Sequence, residues 1–224
     1  MDPRLRAAVD ASRRWYDDVF ALHGLRARAV DGLWAALDPP PPLHSAVKTL
    51  DPGVPIADVL AAMEPHTHGT VADSFGDLDL AAHGFTPLFT ATWLHRAPAG
   101  ARSAAPPGWA RVTEPELLLA WNRLHDTEEV LIPEVLADHR FRVLARWEAG
   151  RLTGGVVVHD AIGVAGVSNG WGVPGQPLDW GEVVEAAGRE FPGRPLTAYA
   201  SGADLVAMEA VGTVGVGPQR VWLR

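Results

Sequence analysis

Apolar residues recur at helical spacing from Leu5 through Val9, Trp15, Tyr16, Val19 and Phe20, behind Asp2-Pro3, a capping residue followed by a proline suited to the first helical position. The spacing predicts a helix ended by Gly24. The period then changes. Short apolar runs at 27–30 (ARAV) and 33–37 (LWAAL) flank Asp31-Gly32, the dipeptide most typical of a two-residue hairpin turn. Beyond the PPPP run at 39–42, AVKTL (46–50) reads as a strand, and Ile56, Val59, Leu60 and Met63 form one face of a helix ended near Pro65. Further on, Thr113 and Glu116 read as a capping box for a helix packing Leu117, Leu118, Trp121 and Leu124. FRVLARW (141–147), RLTGGVVVH (151–159) and IGVAGVSN (162–169) read as three successive strands. Asp179 with Glu182 repeats the capping pattern for a helix that turns Trp180, Val183, Val184 and Ala187 inward.

Two stretches close in the same way. Residues 69–96 (GTVADSFGDLDLAAHGFTPLFTATWLHR) and 196–224 (LTAYASGADLVAMEAVGTVGVGPQRVWLR) each read as a short strand, a small helix, a glycine and a last strand with a Trp near a terminal Arg. Gly84 and Gly212 stand 128 residues apart, which predicts two related units in tandem. The Pro-, Gly-, Ala- and Ser-rich stretch at 98–108 lacks apolar periodicity and reads as the joint between them. The boundaries expected are 1–98 for a first unit, 99–108 for a linker and 109–224 for a second unit.

Composition narrows the chemistry. The 224 residues are 47% hydrophobic and 21% charged, enough to bury a real core. Net charge is −8, with 8 basic against 12 acidic residues in 1–98 and 11 against 15 in 99–224. Neither half offers the basic stripe that a phosphate backbone needs, so nucleic acid is not an expected partner. There is no cysteine, which removes thiol nucleophiles and thiolate metal sites together. No apolar run is long enough for a membrane span, and no membrane partner is expected. A cytoplasmic protein is the expectation, with oligomeric state left open. Of the nine histidines only His66 and His68 are close in sequence, without a third ligand nearby, and no metal is expected. Most of the nine tryptophans fall on apolar faces, except Trp171, which stands between two glycines and could cover or fill a pocket mouth.

The second unit, with GVSN (166–169), AMEAVGTVGVGP (207–218) and the closing RVWLR, resembles the GNAT acetyltransferase superfamily. The first, through AAHGFTPLFTATWLHR (81–96), resembles the later part of the same fold. The resemblance implies an α+β protein of two tandem GNAT-like units, mixed sheets flanked by helices, the first unit truncated, the two sheets able to join into one pseudo-symmetric body. It implies acyl transfer from acetyl-CoA to an amine, with the pantetheine arm lying where the fourth and fifth strands of the unit splay. That cleft would be lined by Val167, Ser168, Asn169, Tyr199 and Ser201. Its counterpart in the first unit would hold Lys48, Asp73 and Ser74, with Lys48 facing Asp73. Glu128 and Glu129, with Glu134, fall in the region that shapes the acceptor pocket in relatives and are the catalytic candidates, as bases for an ammonium.

Two features depart from the family pattern. The turn NGWGVPGQPLDWGEVV (169–184) lacks the glycine-rich diphosphate motif: Pro174 and Pro177 remove amide donors, and Asp179 and Glu182 bring negative charge, with no Lys or Arg from 152 to 188. The position of the family's proton-donating Tyr is taken by Met208 in the second unit and Leu80 in the first. A catalytically inactive descendant that binds a small molecule or a protein in the same cleft is the competing expectation.

Overall fold

The computed structural model describes residues 1–98 and 106–224, so most of the expected linker, 99–105, lies outside the described residues. The first half holds helix α1 (Pro3–Leu22), strands β1 (Ala27–Val30), β2 (Leu33–Ala36) and β3 (Val47–Thr49), helix α2 (Ile56–Met63), and strands β4 (Thr70–Asp73) and β5 (Thr86–Arg96). The second holds β6 (Trp109–Arg111), α3 (Pro115–His125), β7 (Phe141–Glu148), β8 (Arg151–Asp160), β9 (Ala165–Gly172), α4 (Trp180–Glu190), β10 (Leu196–Ala200), α5 (Gly202–Ala210) and β11 (Val214–Leu223).

Local chemistry explains many of these boundaries. The Asp2 carboxylate accepts from the Arg4 amide at 2.8 Å and starts α1. Asp31 and Gly32 both take positive φ, 51° and 76°, which gives the β1–β2 hairpin the twist its strands need. Asp179 caps α4 as its sequence implies, accepting from the amides of Gly181 and Glu182. The capping box at Thr113 does not form. Pro115 pushes the residue before it out of the helical region, so Glu114 is extended (φ −107°, ψ 135°) and α3 begins at the proline itself. The third strand of the meander also starts later than its apolar pattern suggests, because Ile162 and Gly163 have φ of 55° and 91° and form the turn.

The eleven strands of the described residues form one mixed sheet in the order β1-β2-β3-β4-β11-β5-β10-β9-β8-β7-β6. The order is balanced about the antiparallel β11–β5 pair at its centre. On one side β4 is antiparallel to β11 and parallel to β3; on the other, β10 is antiparallel to β5 and parallel to β9. The last strand of each half thus lies beside a strand of the other half. The small helix before it differs: α5 runs for nine residues, whereas its counterpart before Gly84 is a 3-10 turn, Ala81–His83.

Helices cover both faces. On one, α2 packs Val59 and Met63 on Val47, Val71 and Trp222, and α4 packs Val183 and Ala187 on Val156, Val158 and Leu196. On the other, α3 packs Leu118 and Trp121 on Val143 and Val157, while α1 crosses from β11 and β5 to β9, closing with Val19 on the α3 cluster. Burial on both sides explains why 153–159 reads as a continuous buried run rather than an alternating one.

Gly155 shows how tightly α3 is seated. A Cβ there would come within 2.0 Å of Trp121 Nε1, which donates to the Leu144 carbonyl at 3.0 Å. Gly155→Ala is expected to destabilise the fold by at least about 1–3 kcal/mol through overpacking. Gly188→Ala, in α4 with nothing within 4 Å of the added Cβ, is expected to stabilise it by about 0.5–1 kcal/mol. Denaturant unfolding of the two variants checks both signs.

Candidate functional site

Strands β9 and β10 are hydrogen-bonded neighbours at only two rungs, Leu196 opposite Ala165 and Thr197 opposite Gly166, and then part. Beyond Gly166 the β9 chain bulges: Gly155 lies opposite Trp171 and Val157 opposite Ser168, so β9 carries one residue more than β8 across this interval. Asn169, at φ 53°, absorbs the extra residue. The bulge also reverses the facing of the residues beyond it. Val167 packs toward α4 and Trp171 toward α3, although an even spacing would put them on one face.

A cavity of about 760 Å³ lies at this divergence. Toward α4 and α5 it is bounded by Trp180, Asp204 and Met208; toward α1, by Ala8, Ala11, Ser12 and Trp15, one stripe of that helix, and by the 40–45 loop. Val167, Ser168, Asn169, Tyr199 and Ser201, named from the sequence, all line it. Asn169 Nδ2 donates to Ser168 Oγ at 3.0 Å. Tyr199 stacks on Phe89 (centroids 6.3 Å apart, 16° between planes) and meets Trp93 edge-on at 5.5 Å. Among the described residues no Lys or Arg lines the cavity, and the one carboxylate that does, Asp204, accepts from Trp180 Nε1 at 3.0 Å.

The helix-terminal amides that face an anion in many folds are already used here. Asp179 Oδ1 accepts from Gly181 N at 2.8 Å and Glu182 N at 3.2 Å, filling the first turn of α4 with the chain's own negative charge. The Glu182 carboxylate turns away to Trp109 Nε1 and Arg146 Nε, both at 3.0 Å.

The wall contributed by α1 is aromatic and polar together. Trp15 Nε1 donates to His44 Nε2 at 3.0 Å, and His44 Nδ1 meets the Pro42 carbonyl at 3.0 Å, which assigns the ring proton to Nδ1. Burial holds His44 down to about 4, neutral as this arrangement requires. Edge-on to the same Trp15 indole, His159, 1% exposed, places Nε2 2.8 Å from Asp18 Oδ2. Asp18 also takes an ion pair from Arg140, which in turn grips Asp138. Sequence reasoning singled out none of Asp18, His44, His159 or Arg140. Only the histidine inside an apolar run, VVVHD at 156–160, offered a signal.

Other expected residues lie elsewhere. Glu128 and Glu129 are exposed on the turn after α3, as is Glu134 farther on, and none lines the cavity. The structure places all three at the surface, away from the cavity. Trp171 neither covers nor fills the mouth. It packs edge-on against Trp121 at 5.5 Å and stacks on His125 at 6.3 Å, in the core beneath α3.

In the first half Lys48, Asp73 and Ser74 are all buried, but the expected facing of Lys48 and Asp73 is corrected. Lys48 is in register with Ala72, so Asp73, one residue on, points to the opposite face. Its carboxylate accepts from the amides of Phe75, Gly76, Asp77 and Leu78, fixing the turn after β4. The Lys48 ammonium lies between the rings of Tyr16 and Trp93, 5.3 and 5.2 Å from their centroids. The β3–β4 divergence is sealed, since Ser74 N donates to Thr49 Oγ1 at 2.8 Å, Ser74 Oγ to Thr49 O at 2.6 Å and Trp93 Nε1 to Ser74 O at 2.8 Å.

Burial lowers Lys48 to about 7, opposed by the Asp73 charge. The unfolded chain binds this proton up to the ordinary lysine value near 10.5. Native stability should therefore rise with pH between about 7 and 10.5. Lys48→Met should remove that component of the rise, seen by comparing denaturant midpoints of the two proteins across this range.

Neither a scan against protein-family models nor a search of curated proteins finds a match. Solved structures do. A GCN5-related N-acetyltransferase from Kribbella flavida superposes with a TM-score of 0.66 at 15% identity, over 95% of this chain and 94% of that one. A protein assigned to the GNAT family from Novosphingobium aromaticivorans gives 0.60 at 14% identity, over 93% and 95%. The N-myristoyltransferase of Saccharomyces cerevisiae, solved with bound myristoyl-CoA and inhibitors, gives 0.52 at 8% identity, over 79% of this chain and 59% of that one. At these identities the likeness is one of fold: a mixed α+β sheet of the GNAT type.

Proposed function

Starting from a GNAT-type fold, we propose that the protein is an acyltransferase that moves an acyl group from a thioester to an amine, with the β9–β10 gap as the passage for the thioester arm. The observation that carries this reading is the parting of the two strands after Thr197 and Gly166, which leaves β9 and β10 backbone facing the cavity rather than each other. Such edges offer hydrogen bonds to an extended, amide-bearing arm. The first half, whose corresponding divergence is closed by Ser74 and Thr49, serves as a wall. The balanced strand order supports an origin of the two halves as tandem units, with bounds near 98 and 109.

Acetyl-CoA fits this chain in part. The gap suits its pantetheine arm, but the residues beside α4 do not suit its diphosphate: Asp179 occupies the helix-terminal amides, Pro174 and Pro177 supply none, and no cation stands between 152 and 188. We therefore assign no catalytic step to coenzyme A and expect altered or weak use of it. The occupied helix terminus equally supports a second reading, a catalytically inactive protein that binds a small molecule or a partner in the same cleft.

Melting and transfer assays with acetyl-CoA and with S-acetylpantetheine, which lacks the nucleotide and diphosphate, separate these readings. If the arm supplies most of the affinity, the two donors should support acetylation within about tenfold of each other, and either at a hundred times its dissociation constant should stabilise the protein by about 2.7 kcal/mol. Asp179→Gly should free the α4 amides and favour acetyl-CoA selectively, while removing a cap at a cost of a few tenths of a kcal/mol. Absence of both stabilisation and transfer with either donor would leave the binding-protein reading.

A further inference from the structure

Resting on the acyl-transfer reading above, we propose that His159, oriented by Asp18, is the general base of this site, and that the acceptor is a primary amine on an uncharged, apolar body.

Position comes first. His159 pairs with Gly166 across β8 and β9, and Gly166 pairs with Thr197 at the last rung before β9 and β10 part. Residues directly opposite share a face, so the imidazole stands on the α1 side of the sheet at the inner end of the gap. Gly166 carries no side chain there, and a Cβ built on it would meet nothing nearer than the His159 carbonyl at 3.8 Å. In this proposal the amine nitrogen sits over Gly166, between the imidazole and the passage.

The chemistry of the pair suits the position. A carboxylate accepts only, so the 2.8 Å contact with Asp18 places the ring proton on Nε2 and leaves a lone pair on Nδ1. Nδ1 is buried with no hydrogen-bond partner among the described residues. Arg140 and, through it, Asp138 hold Asp18 in place, and the rings of Trp15 and Phe141 fix the imidazole at centroid distances of 5.7 and 4.8 Å. A base with its far nitrogen tied to a carboxylate keeps one tautomer and gains stabilisation when protonated.

The other titratable groups of the cavity suit the role less: burial pushes the Tyr199 hydroxyl well above the ordinary tyrosine value, so it offers no base near neutral pH. Both nitrogens of His44 are bonded, Asp204 lies toward α5 on Trp180, the Tyr16 hydroxyl accepts from Ser45 N, and His125 packs on Trp121 and Trp171 with Asn169 beside it.

The acceptor's character follows from the lining. Leu88, Phe89 and Tyr199 present 54%, 38% and 46% of their surface, and among the described residues no Lys or Arg lines the cavity to balance a carboxylate or phosphate on the substrate. Flat rings and an absence of countercharge favour an apolar amine. In the step, the ammonium gives one proton to His159 Nδ1 and the freed nitrogen attacks the thioester carbonyl. The N–C bond forms and the C–S bond breaks. The thiolate takes the second nitrogen proton to leave as thiol, the amide remains, and His159 returns its proton to solvent.

Benzylamine, with S-acetylpantetheine or acetyl-CoA as donor, tests the assignment. His159→Gln keeps an amide that can donate to Asp18 but cannot carry the proton, and Asp18→Asn weakens the orientation; melting curves establish that each variant is folded. The native protein should acetylate benzylamine in preference to spermidine or glutamate. H159Q should lower turnover by about 10²-fold near neutral pH, in the range of general-base contributions. Its benzylamine affinity and its melting shift with donor should change little. The H159Q deficit should narrow as pH approaches the amine's own pKa, where the acceptor arrives uncharged. The charged and titratable groups around His159 are Asp18 from α1, Arg140 just before β7 and, across the Trp15 ring, His44 from the 40–45 loop, none of which the variant removes. D18N should fall between the two, and Glu128→Gln should match the native protein.

Transfer that H159Q retains in full at neutral pH overturns the base assignment alone. Preference for a charged acceptor overturns the substrate class. Absence of any transfer by the native protein with benzylamine bound overturns the acyl-transfer reading and this assignment together.

Discussion

The constraint on which the rest of the structure depends is the crossing of the two terminal strands. Because β11 completes the sheet of the first half and β5 that of the second, the two halves share backbone hydrogen bonds along an antiparallel pair running through the middle of the molecule. Neither half has a finished edge without the other. The arrangement carries α1, a first-half helix, across the face of the second half's strands, where its Trp15 lines a cavity that opens between β9 and β10 and its Asp18 holds His159 of that cavity. The site is composite for a topological reason.

Within that frame the two halves have taken opposite courses. At the β3–β4 divergence a serine, a threonine and an indole N–H satisfy the backbone groups that a splay exposes, and a buried lysine sits between aromatic rings behind the seal. At the β9–β10 divergence a bulge at Asn169 holds the strands apart, and the polar atoms that remain face a cavity. One divergence supports, the other admits. The energetic logic is the same in both, since a buried polar group must find a partner within the chain or in a ligand.

How much of this was legible in the amino-acid order depends on range. The Asp31-Gly32 turn and the Asp179 cap are set within a few residues and formed where their pattern places them, as did most of the helix faces, although Leu124, expected on the packed face of α3, is exposed. Thr113 failed as a cap because Pro115 acts on its neighbour, a local rule that overrides the more general signature. The Lys48–Asp73 facing failed on a parity that only the β3–β4 register reveals. The bulge at Asn169, which turns Trp171 into the core, shows only in the β8–β9 register. His159 stayed hidden because a lone histidine in an apolar strand looks like core, and its partner lies 141 residues away in the chain. Glu128 and Glu129 were drawn from likeness to a family rather than from any local physical pattern, and the backbone after α3 leaves them in solvent.

The strand crossing also sets an order of events at birth. While the chain is being synthesised, β4 and β5 emerge early, yet the partner that must lie between them is β11, residues 214–223. The first half therefore waits with an open backbone edge for more than a hundred residues of translation. Pairing this distant in sequence closes slowly, and an unpaired strand edge is adhesive meanwhile. A nascent molecule of this design is one for which ribosome-associated chaperones, or a slow release of aggregation-prone intermediates in refolding, would decide the yield.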